Sequence, residues 1–198
     1  MIKNIKIIIK TLMFITVVAF VTTVWHVYKT QGEVRAAELV PKLPNFEHEN
    51  NQQFLENVGM CVEYIEYSTS DVIPVNKELL LAQAALESGW GTSRFAKEGK
   101  NLFGIRTYDL REPHMLPWKD KRVKWGVKVF QHECDSVMNY INILNNHSAY
   151  EKYRQLREDG IDDPFILVET LDAYASDKNY FSKIKSILRK IRNEYKIN

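Results

Sequence analysis

The chain has 198 residues, of which 45% are hydrophobic and 26% are charged, a balance that excludes a disordered protein. Its formal net charge is only +2, which is too small to indicate a nucleic acid as the partner. The five histidines and the two cysteines, Cys61 and Cys134, have no spacing typical of a zinc site. We therefore expect neither a metal nor a cofactor.

The N-terminal segment has the pattern of an export signal. Three lysines precede an apolar run from Thr11 to Tyr28 that contains no Asp, Glu, Lys or Arg. Such a run is just long enough to cross a bilayer as a helix, and the lysines place its start in the cytoplasm. We predict that residues 1–30 form an uncleaved transmembrane anchor in the inner membrane. A signal peptide cleaved near Ala36 is the alternative, and both interpretations export the remaining chain.

The next segment, residues 31–51, combines Pro41 and Pro44 with many charges and shows no clear period. These features predict a linker. The folded domain is then expected over residues 52–198, which is the length of one ordinary domain. We expect it to be a monomer.

Helical signals dominate the first part of this domain. After a first amphipathic helix, Pro74 interrupts the chain and Asn76 is placed to cap a second helix. That helix runs from Lys77 to about Glu87, and it is apolar on most faces, which predicts a central position in the core. Gly89 follows where a left-handed residue commonly ends a helix.

Strand signals appear once, in the middle of the domain. Apolar residues alternate through the run from Val123 to Val129, and this period of two predicts a hairpin or small sheet. Helical patterns then return, including a helix from Phe165 to Tyr174 that follows an Asp163-Pro164 start signal. The predicted fold class is α+β, mostly α, with one small β-lobe.

The chemistry is expected at Glu87, the last residue of the predicted central helix. The negative end of the helix dipole and apolar neighbours such as Leu86 and Trp90 both disfavour an ionised carboxylate, so they raise the pKa. A carboxyl group that stays protonated near neutral pH can donate a proton to a glycosidic oxygen. Gly89 and Gly91 on either side of Trp90 allow a tight turn that leaves a groove beside the acid. An isolated Glu at a helix end would otherwise be interpreted as a solvated side chain.

The residues around Glu87 carry a resemblance to a known family. The blocks that carry it are AQAALESGWGTSRFAKEGKNLFGIR from Ala82, VKVFQHECDSVMNYINILNNHSAYEKYRQLRED, and LDAYASDKNYFSKIKSIL near the C-terminus. The chain resembles the bacterial peptidoglycan endo-β-N-acetylglucosaminidases, and among them the Bax-type subgroup. The resemblance implies a lysozyme-like fold, in which a helical lobe and a small β-hairpin lobe flank a cleft.

The resemblance also implies roles for individual residues. Glu87 would be the catalytic acid, and Tyr174 would orient the substrate or a water in the cleft. The second carboxylate of the family usually comes from the β-lobe, where the match is poor. Asp120 is the first candidate, with Glu112 and Asp109 as alternatives, and the substrate's acetamido group could replace a protein nucleophile.

Substrate contacts are expected from two groups of residues. One is the loop that resembles the family's Asn-Leu-Phe-Gly motif, with Asn101, Phe103 and Gly104 lining the cleft. The other is the pair Trp90 and Trp118, because sugar faces commonly stack on aromatic rings.

The predicted function is hydrolysis of the β-1,4 bond between N-acetylglucosamine and N-acetylmuramic acid, with peptidoglycan strands as the partner in the cell envelope. An amidase activity is not expected. Two alternatives stay open: a lysozyme-like lytic transglycosylase, which releases an anhydro sugar, and a non-catalytic wall-binding or assembly protein. Cys61 and Cys134 are expected to be separate thiols in or near the core, although an exported protein could pair them.

Overall fold

The computed structural model describes residues 13, 15–31, 40–70, 72–117, 123–174 and 177–196. The chain divides into two compact units, Met1–Pro41 and Lys42–Asn198. In the first unit, residues 15–31 form helix α1. Among the described residues, no helix combines the length and the apolarity that a bilayer span requires. The predicted anchor therefore has no support there, and the alternative cleavage site near Ala36 lies outside the described residues.

The second unit is mostly helical. Its helices are α2 (Asn51–Ser68), α3 (Lys77–Ser88), α4 (Arg94–Gly99), α5 (Glu133–Asn146), α6 (Glu151–Glu158), α7 (Pro164–Leu167) and α8 (Tyr180–Glu194), with 3₁₀ turns at Ser148–Tyr150 and Val168–Thr170. In the described part of the segment between α4 and α5 there are three short strands: β1 (Arg106–Thr107), β2 (His114–Met115) and β3 (Gly126–Lys128). They form one antiparallel sheet in the order β1-β3-β2. The predicted fold class, mostly α with a small sheet, is confirmed.

Helix α3 is the centre of the core, as its apolar sequence predicts. The Asn76 side chain caps it by accepting a hydrogen bond from the Leu79 N–H, and Gly89 ends it in a left-handed conformation. The residues from Leu79 to Ala85 are all buried. Helix α8 packs along one side of α3 and α2 along another, while α5 covers α2. This arrangement positions the end of α3, where Glu87 lies, beside the start of α8.

Two predicted elements are shorter in the structure. The alternating run from Val123 to Val129 contains only the three residues of β3 as strand. The predicted helix from Phe165 to Tyr174 begins as expected, because Asp163 caps it and Pro164 occupies its first turn. It ends at Leu167, and the chain continues as a 3₁₀ turn. Tyr174 therefore lies beyond the helix, in the segment that leads to α8.

The prediction of two separate thiols is wrong. Cys61 on α2 and Cys134 on α5 form a disulfide, with their Cα atoms 5.0 Å apart. The two residues are 73 positions apart in the chain, and only the packing of α2 against α5 brings them together. The bond joins two helices of the core, and both cysteines are buried.

The end of the predicted linker is packed against the domain. The His132 ring, which caps α5 by accepting a hydrogen bond from the Cys134 N–H, binds the Pro44 carbonyl through Nε2 at 3.0 Å. The Asn57 side chain donates to the Glu47 carbonyl at 2.8 Å. We call residues 44–50 the strap, because these contacts tie the segment to α2 and α5.

Candidate active site

Glu87 lies in the last turn of α3 and is half-buried. Burial raises the pKa of its carboxyl group above the usual value, while a hydrogen bond from the Tyr180 hydroxyl and the positive charge of Lys183 act in the opposite direction. Desolvation is the largest of these effects. The net rise in the pKa favours the protonated acid, which is the form that can donate a proton.

The turn after Glu87 uses three consecutive residues with positive φ. These are Gly89 at 58°, Trp90 at 58° and Gly91 at 76°. The buried Ser88 side chain holds the turn, because its Oγ donates to the Ala84 carbonyl at 2.6 Å and accepts from the Gly91 N–H at 2.7 Å. A left-handed Trp costs about 1–2 kcal/mol, so the surrounding contacts must offset that strain.

Trp90 obtains these contacts on the side of α2 and the C-terminal end of α8. Its carbonyl binds His48 Nε2 of the strap at 3.1 Å. Its ring lies 6.3 Å from the Phe54 ring and 5.7 Å from the Tyr195 ring, and Lys190 Nζ is 5.5 Å from its centroid. Trp90 thus packs within the domain with part of its side chain exposed, and its role as a sugar platform stays a prediction.

Gly91 provides a test of this turn. An added Cβ would lie 2.5 Å from His48 Cε1 and 2.9 Å from Phe54 Cδ2, so Gly91→Ala combines a steric clash with an unfavourable φ. We expect it to lower the free energy of unfolding by about 3 kcal/mol, measured by urea denaturation. Gly160→Ala is the matched control, because Gly160 has a φ of 81° and nothing within 4 Å of the added Cβ. Its expected cost is about 1 kcal/mol, and equal costs for the two variants would contradict the proposed packing.

The predicted Asn-Leu-Phe-Gly loop approaches the acid through its last residue. Gly104 has a φ of 64°, and a Cβ placed on it would lie 3.9 Å from Glu87 Oε2. The Asn101 side chain is buried and binds the carbonyls of Ile105 and Lys128 at 2.9 and 2.8 Å. Phe103 is buried and stacks on Tyr140, with the ring centroids 4.1 Å apart. Gly104 therefore lies beside the carboxylate, whereas Asn101 and Phe103 hold the loop from inside the core.

Tyr174 contacts the same loop. Its hydroxyl donates a hydrogen bond to the Phe103 carbonyl at 2.8 Å, and its ring stacks on Tyr180 at 5.7 Å. Burial, the neighbouring tyrosines and the Glu87 charge raise the pKa of Tyr174 well above its ordinary value, so the hydroxyl stays neutral. The structure thus brings Glu87, Gly104 and Tyr174 together.

Tyr180 is a site residue that sequence reasoning missed. It is the first residue of α8, it is almost fully buried, and a hydrogen bond from its hydroxyl lowers the pKa of Glu87. A signal was present, since Tyr180 lies in the C-terminal block that carries the family resemblance.

Two candidates for the second carboxylate already have cationic partners. Glu112 Oε2 accepts a hydrogen bond from Thr107 Oγ1 at 2.9 Å and pairs with Lys128 at 3.3 Å. Asp109 pairs with Arg111 at 2.6 Å, and the hydrogen bonds from Arg111 lower the pKa of Asp109. Asp120 and Trp118 lie outside the described residues, so their predicted roles stay predictions.

A mostly helical domain, with a half-buried acid at the end of its central helix and a small antiparallel sheet, is the architecture that the resemblance predicts. Residues 66–193 match the model of the glucosaminidase family, which is described as mannosyl-glycoprotein endo-beta-N-acetylglucosaminidase. The match covers more than half of the chain, and the chain therefore belongs to this family. The resemblance expected from the sequence is confirmed.

Individual relatives have related descriptions. The chain is 38% identical to Protein bax of Escherichia coli K12 over 87 residues, which is 44% of this chain and 29% of that protein. It is 24% identical to the exo-glucosaminidase LytG of Bacillus subtilis 168, covering 73% of this chain and 52% of LytG. It is 31% identical to the peptidoglycan hydrolase FlgJ of Vibrio parahaemolyticus, covering 60% of this chain and 42% of FlgJ. The chain thus spans about half or less of the length of these relatives.

Solved structures share the fold. The catalytic domain of the autolysin Auto from Listeria monocytogenes superimposes with a TM-score of 0.54 at 20% identity, covering 82% of this chain and 94% of that domain. An N-acetylmuramoyl-L-alanine amidase structure from Staphylococcus aureus gives 0.56 at 21% identity, covering 77% of this chain and 46% of that one. At this level of identity the likeness supports the fold alone.

Proposed function

We propose that this chain is a glycoside hydrolase that cleaves the glycan strands of peptidoglycan, with Glu87 as the general acid. The observation that carries the proposal is a half-buried carboxyl group with a raised pKa at the end of α3, facing Gly104. Family membership supports the reaction class. The descriptions of FlgJ as a peptidoglycan hydrolase and of LytG as an exo-glucosaminidase support the substrate.

The proposed reaction begins with transfer of the Glu87 proton to the bridging oxygen of a β-1,4 bond between N-acetylglucosamine and N-acetylmuramic acid. Burial keeps the proton on the carboxyl group until the sugar oxygen accepts it. After transfer, the hydrogen bond from Tyr180 and the charge of Lys183 favour the carboxylate. Tyr174 is proposed to set the position of the loop through the Phe103 carbonyl.

A second group must stabilise the oxocarbenium-like state or activate water. Asp120 remains our first candidate, because Glu112 and Asp109 are each paired with a cation. The substrate's acetamido group is the alternative nucleophile. The substrate-binding role of Trp118 belongs to this proposal, as does that of Trp90. For Asn101 and Phe103 we propose that the contact is indirect, through the loop that they support.

We further propose that the domain acts outside the cytoplasm. The Cys61–Cys134 disulfide supports this location, because such bonds persist mainly in oxidising compartments. Residues 1–30 are proposed as the export signal, with residues 31–51 joining it to the catalytic domain over residues 52–198. The support for attachment to the inner membrane is the sequence pattern alone, namely lysines followed by an apolar run.

Mass analysis of muropeptides released from purified peptidoglycan tests the function. Products with a reducing N-acetylglucosamine end are expected. Products with a reducing N-acetylmuramic acid end would place the cut at the other glycosidic bond. Anhydro products would identify a lytic transglycosylase, and intact strands that nevertheless retain the protein would favour a wall-binding role.

A further inference from the structure

We propose that Tyr180, held by Gln83 and Tyr140, is a positioning residue that orients the Glu87 carboxyl group for proton transfer. The inference rests on the proposed function of Glu87 as the acid. It concerns residues that lie on the core side of Glu87 and that need not touch the substrate.

Two hydrogen bonds join side chains of three helices and place the Tyr180 hydroxyl near the face of α3 that carries Glu87. The Tyr140 hydroxyl, on α5, donates to Gln83 Oε1. Gln83 Nε2, on α3, donates to the Tyr180 hydroxyl at 2.7 Å. Tyr180, at the start of α8, is in turn close to Glu87, and a hydrogen bond from its hydroxyl is one of the effects that lower the pKa of the Glu87 carboxyl group. Gln83 and Glu87 are one helical turn apart on the same face of α3, so Tyr180 is held between them.

The order of donors and acceptors gives Tyr180 a direction. Because Tyr140 occupies the oxygen of the Gln83 amide, Gln83 presents its N–H group to Tyr180. The Tyr180 oxygen therefore accepts a hydrogen bond, and its own proton is left for Glu87. A carboxyl oxygen that accepts this bond has a defined orientation, and the other oxygen is the one that can carry the acidic proton.

The three hydrogen-bonded side chains are buried. Tyr140 and Gln83 are fully buried and Tyr180 is 4% exposed. A buried polar group without a partner is destabilising, and a change at one of these side chains leaves the next one unsatisfied. The stacking of Tyr174 on Tyr180 and of Phe103 on Tyr140 fixes the rings from both sides.

A pH effect follows from the groups around Glu87. Within the described ranges, the titratable or charged groups that act on it are Tyr180 and Lys183 of α8 and Tyr174 of the preceding segment. From the loop side the neighbour is Gly104, which carries no charge. Lys183 also pairs with Asp177 at 2.5 Å. Tyr180 is thus the neutral donor that favours the Glu87 carboxylate. When this donor is removed, less opposes the desolvation of the carboxyl group, and the pKa of Glu87 should rise.

The test is a comparison of wild type with Tyr180→Phe and Gln83→Met in the full, disulfide-bonded chain. The Glu87 carboxyl group is titrated by carbon NMR, and the pH dependence of glycan cleavage is measured in parallel. In Tyr180→Phe we expect the pKa of Glu87 to rise by about one unit. The alkaline limb of the pH profile of kcat should move to higher pH with it. The factor by which kcat falls should exceed the factor by which KM changes. Gln83→Met should raise the pKa of Glu87 and move the alkaline limb in the same direction, by a smaller amount.

Tyr153→Phe is the control, because Tyr153 is also fully buried and accepts a hydrogen bond from the Asn76 N–H, far along α3 from Glu87. Tyr153→Phe should change the stability of the protein without moving the alkaline limb of the kcat profile. An unmoved pKa in folded Tyr180→Phe and Gln83→Met would overturn the proposal. Failure of both variants to fold while Tyr153→Phe folds would also overturn it, since the hydrogen-bonded side chains would then act only to stabilise the core. The NMR titration does not require catalytic turnover. A wild-type protein that does not cleave the glycan would therefore refute the proposed function while leaving the titration as a test of this inference.

Discussion

Replacing Glu87 with glutamine is expected to lower the rate of peptidoglycan cleavage by at least about a hundredfold, the usual scale of a lost general acid. Glutamine keeps the shape of the side chain and the acceptor for Tyr180, but it has no acidic proton to transfer to the glycosidic oxygen. The rate is measured by release of muropeptides from purified peptidoglycan. Glu78→Gln is the matched control, because Glu78 lies in the first turn of the same helix and pairs with Arg192 at 2.6 Å.

The same substitution should not weaken the fold. The pKa of Glu87 is raised in the folded state, so its protonated form stabilises the fold at low pH and that contribution is lost as pH rises through the folded pKa. At higher pH the half-buried carboxylate is a cost that glutamine avoids. The melting temperature of Glu87→Gln should therefore equal or exceed that of the wild type at neutral pH. Retained cleavage in a folded Glu87→Gln protein would remove Glu87 from the mechanism.

Removal of the Cys61–Cys134 disulfide is expected to lower the free energy of unfolding by about 4 kcal/mol, because the bond closes a long loop in the unfolded chain. A loss of that size is a large part of the stability of an ordinary domain. It is measured by urea denaturation of the oxidised protein and of the protein reduced with dithiothreitol.

The Cys61→Ala/Cys134→Ala double variant is the control for this experiment. It should resemble the reduced wild type, and dithiothreitol should not change its unfolding midpoint. The result also bears on the site, since α5 carries Tyr140 and α2 carries Phe54, which packs against Trp90. Equal midpoints for the oxidised and reduced wild type would contradict the expected contribution of the bond.

Local sequence rules predicted the central helix well. Asn76 and Gly89 mark the ends of α3 because a capping side chain and a left-handed glycine act within one turn of the residues that they serve. The end of α7 was not predictable in this way. The Asp163-Pro164 start signal sets where the helix begins but not where it ends, and the chain leaves the helix at Leu167 and not at Tyr174 as predicted.

The sequence by itself determined the mostly helical class, the place of Glu87 at the end of a buried helix and the family. These features depend on spacing within one helix or on a continuous motif. Only the tertiary structure decided which distant residues meet: Cys61 with Cys134, the strap with His132 and Trp90, and Tyr180 with Glu87 through Gln83. The physical reason is that a hydrogen bond or a disulfide acts over a few ångströms, and the packing of α2 and α8 on α3 and of α5 on α2 sets which side chains come that close.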